Sequence, residues 1–422
     1  MYLNRKIAVT KSVRAKRWFG EMFVMRLFSS IKAVPATLKG RDLQFLGEPC
    51  VLPDYVRYVV LSMIILTWPL VAQDSDATLD KTSNTLVAMP LINNNPTMKT
   101  GFGGIGMYLF PVSRADTISP PSTLMLVGLY STNKSYVFGL PAALFFAEDK
   151  YRITAAVFAT RMNLDFTYDL EGNDIKLVYS ELRTVYAAEF SRAIAQNLFL
   201  GLMYSGIDTR YKFDQGSDEE NDSTRELFNL LEIRDSFVSS LGLKASFDSR
   251  DYIYYPQKGL YAVLRSMVFA KWLGSSNDYT NFIYTLRYYH LLKQKHVLAA
   301  QLSGGHSLGD VPFAGYQTYG MRNTLRGYPT GKYRGKHMVG IQAEYRWNFY
   351  QRWGMVAFGG IGSIWGGGSN QEKEIYEKEF LPSIGTGLRF MLSREKKINM
   401  RLDYAWGVNG NEGVYLGIME AF

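Results

Sequence analysis

Residues 338–349 read MVGIQAEYRWNF. Val339, Ile341, Ala343, Tyr345, Trp347 and Phe349 share one face of an extended chain, and Gln342, Glu344, Arg346 and Asn348 share the other. Successive side chains of a β-strand point to opposite faces, so a period of two marks a strand and not a helix. A soluble sheet with one buried face gives the same period. A barrel that crosses a membrane also gives it, with the apolar face turned to lipid and the polar face to the lumen. What separates the two is how often the pattern recurs and where the chain is sent.

It recurs almost throughout. In 237–248, Phe237, Leu241, Leu243, Ala245 and Phe247 oppose Ser240, Lys244, Ser246 and Asp248. In 400–407, Met400, Leu402, Tyr404 and Trp406 oppose Arg401, Asp403 and Ala405. About sixteen such segments lie between residues 85 and 422, an even number, as bacterial single-chain barrels have. Long polar connections at 213–233 and 309–336 follow odd segments, and tight links at 193–195 and 393–396 follow even ones. Barrels of this kind have short periplasmic turns and long outer loops, which puts both termini in the periplasm. The expected fold is all-β: a transmembrane antiparallel barrel of about 16 strands in the bacterial outer membrane. The charge run Glu219-Glu220 reads as solvated loop surface.

Composition agrees. Apolar residues make up 47%, with 38 Gly, 29 Tyr and 25 Phe. No run after residue 75 approaches the roughly 20 apolar residues of a spanning helix. The net charge of +9 is concentrated at the start: residues 1–57 hold eleven Lys/Arg and four Asp/Glu. The near-neutral remainder argues against nucleic-acid binding. Residues 58–72, YVVLSMIILTWPLVA, have the length of a signal h-region, with Arg57 before them and cleavage expected near Ala72 or Gln73. The expected organisation is a leader over 1–73, a short periplasmic segment over 74–84 and the barrel over 85–422. Residues 1–55 are long for an n-region, which points to a start codon set too far upstream, or else to a genuine basic extension. Cys50 is the one cysteine and lies in the leader, so no disulfide or Cys-based metal site is expected. His290, His296, His306 and His337 have no HxxxH or HExxH spacing, and each reads as a lumen or rim residue. No metal and no cofactor are expected.

Residues 309–346 narrow the reading. They contain Leu325-Arg326-Gly327-Tyr328, then Tyr333-Arg334-Gly335, then Glu344-Tyr345-Arg346. This resembles the lumen-inserted sixth loop of the BamA/TamA-type assembly-factor superfamily, the bacterial surface antigen family. Asp248, Arg250 and Asp251 with Pro256 and Gly259 resemble that family's DxRD…P…G turn. FGGIG at 358–362, GTGLR at 385–389 and RLDYA at 401–405 follow in the family's order. Tyr415, Gly417 and the final Phe422 resemble its C-terminal strand signal, although Glu420 stands where an apolar residue is usual. The resemblance covers about residues 85–422. It implies that the loop folds into the lumen and that Arg326 pairs with an acid on the wall. Glu344, on the polar face of its strand and beside Arg346, is the expected partner. Gly359 stands where the family often has an Asp on the next strand, so a single acidic partner is expected. Arg326 and Glu344 then either brace the plug or act directly in transport.

Family members that insert or secrete proteins carry periplasmic POTRA modules, and the segment ahead of the first strand is too short for one. The resemblance therefore implies a barrel that aids insertion or translocation of proteins, acting on client outer-membrane proteins or with a periplasmic partner that supplies the missing domains. The alternative is a passive pore, receptor or structural anchor that keeps the fold alone. Outer-membrane lipid is the surrounding partner in each case. No enzymatic activity is expected. There is no GxSxG, and His306 and Ser307, adjacent on a strand, point to opposite faces.

Overall fold

The computed structural model describes residues 83–95, 98–170, 173–214, 217–230, 233–319, 325–366 and 379–422. The expected leader, and residues 74–82 of the segment after it, lie outside the described residues. The strands are β1 (Thr85–Asn95), β2 (Lys99–Phe110), β3 (Ser122–Ser131), β4 (Tyr136–Phe146), β5 (Tyr151–Leu170) and β6 (Asn173–Ala195). Then come β7 (Leu198–Lys212), β8 (Ser236–Asp248), β9 (Gly259–Phe269), β10 (Tyr279–Lys293) and β11 (His296–Gly309). The last are β12 (Gln317–Thr318), β13 (Arg334–Gly335), β14 (His337–Tyr350), β15 (Trp353–Trp365), β16 (Glu379–Ser393), β17 (Ile398–Gly407) and β18 (Glu412–Ile418). β12 and β13 pair only with each other, inside the long loop. The other sixteen form one antiparallel barrel closed between β1 and β18.

The alternation sets which face is which. In β14, Gln342, Glu344 and Arg346 are buried while Ile341, Tyr345 and Trp347 are exposed. Leu126, Leu202, Leu243, Leu264 and Ile384 are also exposed, on other strands. This is the reverse of a soluble sheet. It suits a chain whose backbone hydrogen bonds close on themselves and whose outer side chains meet hydrocarbon.

Closure is uneven. Among the described residues, β1 pairs with β2 through eleven residues, but with β18 through the single pair Asn94–Val414. One cause lies in the chain's end. The strand expected to run to residue 422 stops at Ile418, because Met419 adopts a left-handed φ of 68° and turns the chain inward. Tyr415 and Gly417 lie in β18, but Phe422 does not, which corrects its reading as a strand residue. The alternating segments 237–248, 338–349 and 400–407 fall within β8, β14 and β17.

The connection at 213–233, read as a polar loop, contains helix α1 (Asp218–Leu230). Ser217 starts it as a capping box: the Glu220 N–H donates to Ser217 Oγ (3.3 Å), and the Ser217 N–H donates to Glu220 Oε2 (3.0 Å). Phe228 on its inner face packs edge-on against Tyr179, Tyr211 and Phe213. The helix thus rests on β6 and β7 at the long-loop end of the barrel.

Candidate functional site

The loop between β11 and β14 enters the lumen. Tyr319, Leu325, Tyr328 and Tyr333 form a buried cluster with Met338, Ile364 and Leu381 on the inner faces of β14, β15 and β16. Tyr328 and Tyr333 meet edge to face, with centroids 5.4 Å apart. Hydroxyls fix the rings to the wall: Tyr319 donates to the Ser363 carbonyl (3.0 Å) and Tyr328 to the Pro382 carbonyl. Gly327 sits at φ 100° beside Tyr328, and a Cβ there would come within 2.9 Å of the Trp406 carbonyl carbon. Only glycine allows that close approach in that conformation. Its N–H donates to the Tyr415 hydroxyl (3.0 Å), tying the loop to β18.

Arg326 is buried, only 2% exposed. Its Nη2 reaches Glu344 Oε1 on β14, and its Nη1 reaches Asp403 Oδ2 on β17 at 2.6 Å. The guanidinium lies 3.5 Å over the Phe358 ring, so its remaining face meets π density. The single acidic partner expected from Gly359 is thereby corrected. β15 has no acid at that position, and β17, two strands further round, supplies one.

These groups belong to a closed ring. Glu344 Oε2 accepts from Arg346 Nε (2.9 Å), and Arg346 Nε lies 3.9 Å from Glu420 Oε2. Glu420 accepts from Arg389 Nε (2.7 Å), and Arg389 Nη1 donates to Asp403 Oδ1 (2.5 Å), which leads back to Arg326. Charges alternate round the ring, so every buried carboxylate faces guanidinium on both sides. Removing such charges from water is expensive, and forked charge-assisted bonds are what offset the cost. Glu420 stands where the family has an apolar residue because the inward turn at Met419 brings it into this ring. The Phe422 main-chain oxygen accepts from Arg346 Nη2 (2.7 Å), and the Phe422 ring packs beside Tyr289 and Ala299.

The loop has a second anchor across the lumen. Arg334 Nη2 pairs with Glu181 Oε2 on β6 (2.7 Å), and its guanidinium lies 4.6 Å over Phe313. The motif Tyr333-Arg334-Gly335 therefore holds the base of the loop while Arg326 holds its tip.

The β8–β9 turn, 249–258, occupies the end of the barrel where β1 begins and β18 ends. Arg250 forks onto Asp248 (2.7 and 2.8 Å), and Arg152 reaches the same carboxylate from β5 (3.0 Å). Asp251 Oδ1 accepts the N–H groups of Tyr252, Gln257 and Lys258 at 2.9, 2.9 and 3.2 Å, which rigidifies the turn. Gly259 closes it at φ 109°, with its missing Cβ against the Ser249 carbonyl. Tyr254 donates to the Pro121 carbonyl (2.7 Å), and Tyr255 accepts from Asn348 (2.6 Å). The Pro256 carbonyl accepts from Arg346 Nη1 (3.5 Å). Arg346 thus joins the turn and the tail to Glu344, the carboxylate that also holds Arg326 of the loop. Gly417 lies against Arg401, where an added Cβ would come within 3.1 Å of its Nε.

The comparisons with known proteins bear on the barrel as a whole. A family model, the Omp85 superfamily domain, matches residues 127–422. No curated protein sequence matches. Among solved structures, BamA from Haemophilus ducreyi lacking POTRA domains 1-3 aligns with a TM-score of 0.50 at 15% identity, over 81% of this chain and 71% of that one. CdiB from Acinetobacter baumannii aligns with a TM-score of 0.50 at 13% identity, over 81% of this chain and 60% of that one. CdiB from Escherichia coli gives 0.51 at 10% identity, over 79% and 62%. The chain thus spans about three fifths of the CdiB chains, and at these identities the likeness is one of fold. With the family model covering most of the barrel, the chain belongs to the Omp85 superfamily.

Proposed function

We propose that this protein is a barrel of the bacterial outer membrane that aids the insertion or translocation of other proteins there. The observation that carries this reading is the seam. Among the described residues, β1 and β18 share one ladder pair, whereas every other junction of the barrel shares six or more. Unpaired strand edges are templates for a further strand, and a chain entering the seam can add to β1 by backbone hydrogen bonding. The plug ring keeps the lumen wall rigid on β14, β16 and β17, so opening concentrates at the seam. The partners are then lipid on the outer face and a client outer-membrane protein at the seam, with a periplasmic protein delivering that client.

The test has two arms. Depleting the protein should lower the amounts of its client outer-membrane proteins, and unchanged levels of the whole set sink the proposal. In the second arm the seam is locked. Antiparallel partners have Cα atoms about 4.5–5.5 Å apart, within disulfide range, so Asn94→Cys with Val414→Cys can bridge. The oxidised double variant should fail to replace the wild type and recover on reduction. A steady large conductance in planar bilayers, with no client effect, favours the passive pore instead.

A further inference from the structure

The lumen cations fall into two groups. Arg152, Arg250, Lys244, Arg334, Arg346 and Arg389 each face a carboxylate. Arg265 on β9 and Arg287 on β10 do not. Among the described residues no carboxylate lies within ion-pair distance of either. Arg287 Nε donates to Gln301 Oε1 (2.7 Å), and its guanidinium lies 5.6 Å from the centroid of Tyr261. Asp248, on the far side of Tyr261 from Arg287, is taken by Arg250 and Arg152, and Glu189 is engaged by Lys244, which sits directly opposite Arg265.

Both arginines line a cavity of about 280 Å³ in the wall made by β9, β10 and β11. Tyr261, Thr285, Gln301 and Ser303 line it too. The register fixes their order. Arg265 is opposite Ile283, Arg287 is opposite Tyr261, and Thr285 stands midway and opposite Ser303. At about 3.3 Å per residue the two arginine backbones are some 13 Å apart along the wall, with the two hydroxyls between them. Long guanidinium arms can converge on the middle from both ends. Ser303 is 3% exposed and its Oγ has no hydrogen-bond partner. Gln342, next to Gln301 in register on β14, is 1% exposed and neither atom of its amide has a partner.

Two cations without counter-charge, beside buried hydroxyl and amide groups without partners, form an unsatisfied polar set. Such sets are costly, and an oxyanion accepts from every donor among them, guanidinium, hydroxyl and amide N–H alike. A tetrahedral anion offers several acceptor oxygens to two guanidinium forks and to hydroxyl donors, which a spherical halide does not. We propose that this part of the lumen wall is a binding site for a small oxyanion of the phosphate class, held by Arg265 and Arg287 with Ser303 and Thr285 between them. The site is separate from the plug ring, and it stands or falls independently of the seam.

The probe is inorganic phosphate, titrated calorimetrically into the purified full chain in detergent micelles at constant ionic strength in chloride. The wild type should show saturable binding. Arg265→Gln with Arg287→Gln should weaken it at least ten-fold, and Ser303→Ala should weaken it less. Should the double variant not fold, the wild type still decides together with Arg287→Lys, which keeps the charge and loses the fork. Phosphate should raise the wild-type unfolding temperature where chloride of equal ionic strength does not, and Arg287→Lys should shrink that rise. Absence of saturable binding and of any phosphate-specific rise in the wild type overturns the site, as does binding that the variants leave unchanged.

Discussion

Arg326 Nη1 and Asp403 Oδ2 lie 2.6 Å apart, although 77 residues separate them in the chain. The contact fastens a loop tip to a strand three places round the wall from β14, the strand that follows the loop. With Glu344 on the other arm of the same guanidinium, it makes the loop a brace across four adjacent strands. A brace of this kind is more costly to break than its net contribution suggests, because each carboxylate left behind is buried.

Arg326→Ala should therefore destabilise the folded barrel by about 3–5 kcal/mol, the range for leaving a buried ion-pair partner alone. The readout is the urea midpoint of the purified protein in micelles. Trypsin cleavage after Lys332 and Arg334 should rise in parallel as the loop loosens. Arg326→Lys should rescue little, since an ammonium is a point charge and cannot fork to two carboxylates. A lysine variant as stable as the wild type refutes the two-armed reading.

The two acids that meet Arg326 are not equivalent. Asp403 faces Arg326, Arg389 and Arg401, whereas Glu344 faces Arg326 and Arg346. Asp403→Asn should thus cost more than Glu344→Gln, by about 1.5–3 kcal/mol for the additional charged hydrogen bond. Paired unfolding curves decide the order, and the reverse order removes Asp403 from the centre of the network.

The inward tail gives a third expectation. Glu420 accepts from Arg389 (2.7 Å) and from Asn399 Nδ2 (2.6 Å). Glu420→Ala leaves both donors buried and should cost about 1.5–3 kcal/mol. If the tail instead lay along the wall as a continuation of β18, the substitution would be neutral. Met419→Gly, at a left-handed residue, should be neutral or stabilising by up to about 1 kcal/mol, as relief of a strained backbone position predicts.

How much of this was legible follows from the range of each signal. Strand positions were readable because alternation is local and a lipid-facing wall repeats it strand after strand. The pairing of Arg326 with Glu344 was within reach of the family resemblance, since Glu344 lies on the polar face of the strand that follows the loop. Asp403 was placed on a polar face but not paired, because nothing in one sequence says which strands a loop will reach across. α1 was missed for another reason: its start signal, Ser217-x-x-Glu220, sits in a charged stretch with few apolar residues, so it read as loop. His306 and His337 were judged by spacing along the chain, yet they are register partners with ring nitrogens 3.3 Å apart. The turn at Met419 left no sequence mark except Glu420, an acid in place of an apolar residue, whose reason appears only once Arg389 and Arg346 are seen beside it.

The 111–121 turn, at the end of the barrel where β1 begins and β18 ends, should respond to pH. The Asp116 carboxylate accepts from the N–H groups of Ile118 (3.1 Å) and Ser119 (2.9 Å), from Ser119 Oγ (2.6 Å) and from the N–H of Glu148 in the neighbouring turn (2.8 Å). What burial it has pushes the carboxyl up, but these donors favour the charged form and outweigh it, holding the group at about 2 against an ordinary 3.8. A carboxyl with a folded value below its unfolded one binds protons more readily when unfolded. Its stabilising effect is therefore complete above 3.8 and is lost as pH falls from there towards about 2. The two turns should separate over that window, seen as faster proteolysis of the 147–150 turn by an acid-active protease. The carboxyl carbon shift of Asp116 should have its midpoint near the low value, and Asp116→Asn should abolish the pH dependence of cleavage. A midpoint at the ordinary carboxylate value, or cleavage equally pH-dependent in the Asn variant, excludes Asp116 as the clasp between the turns.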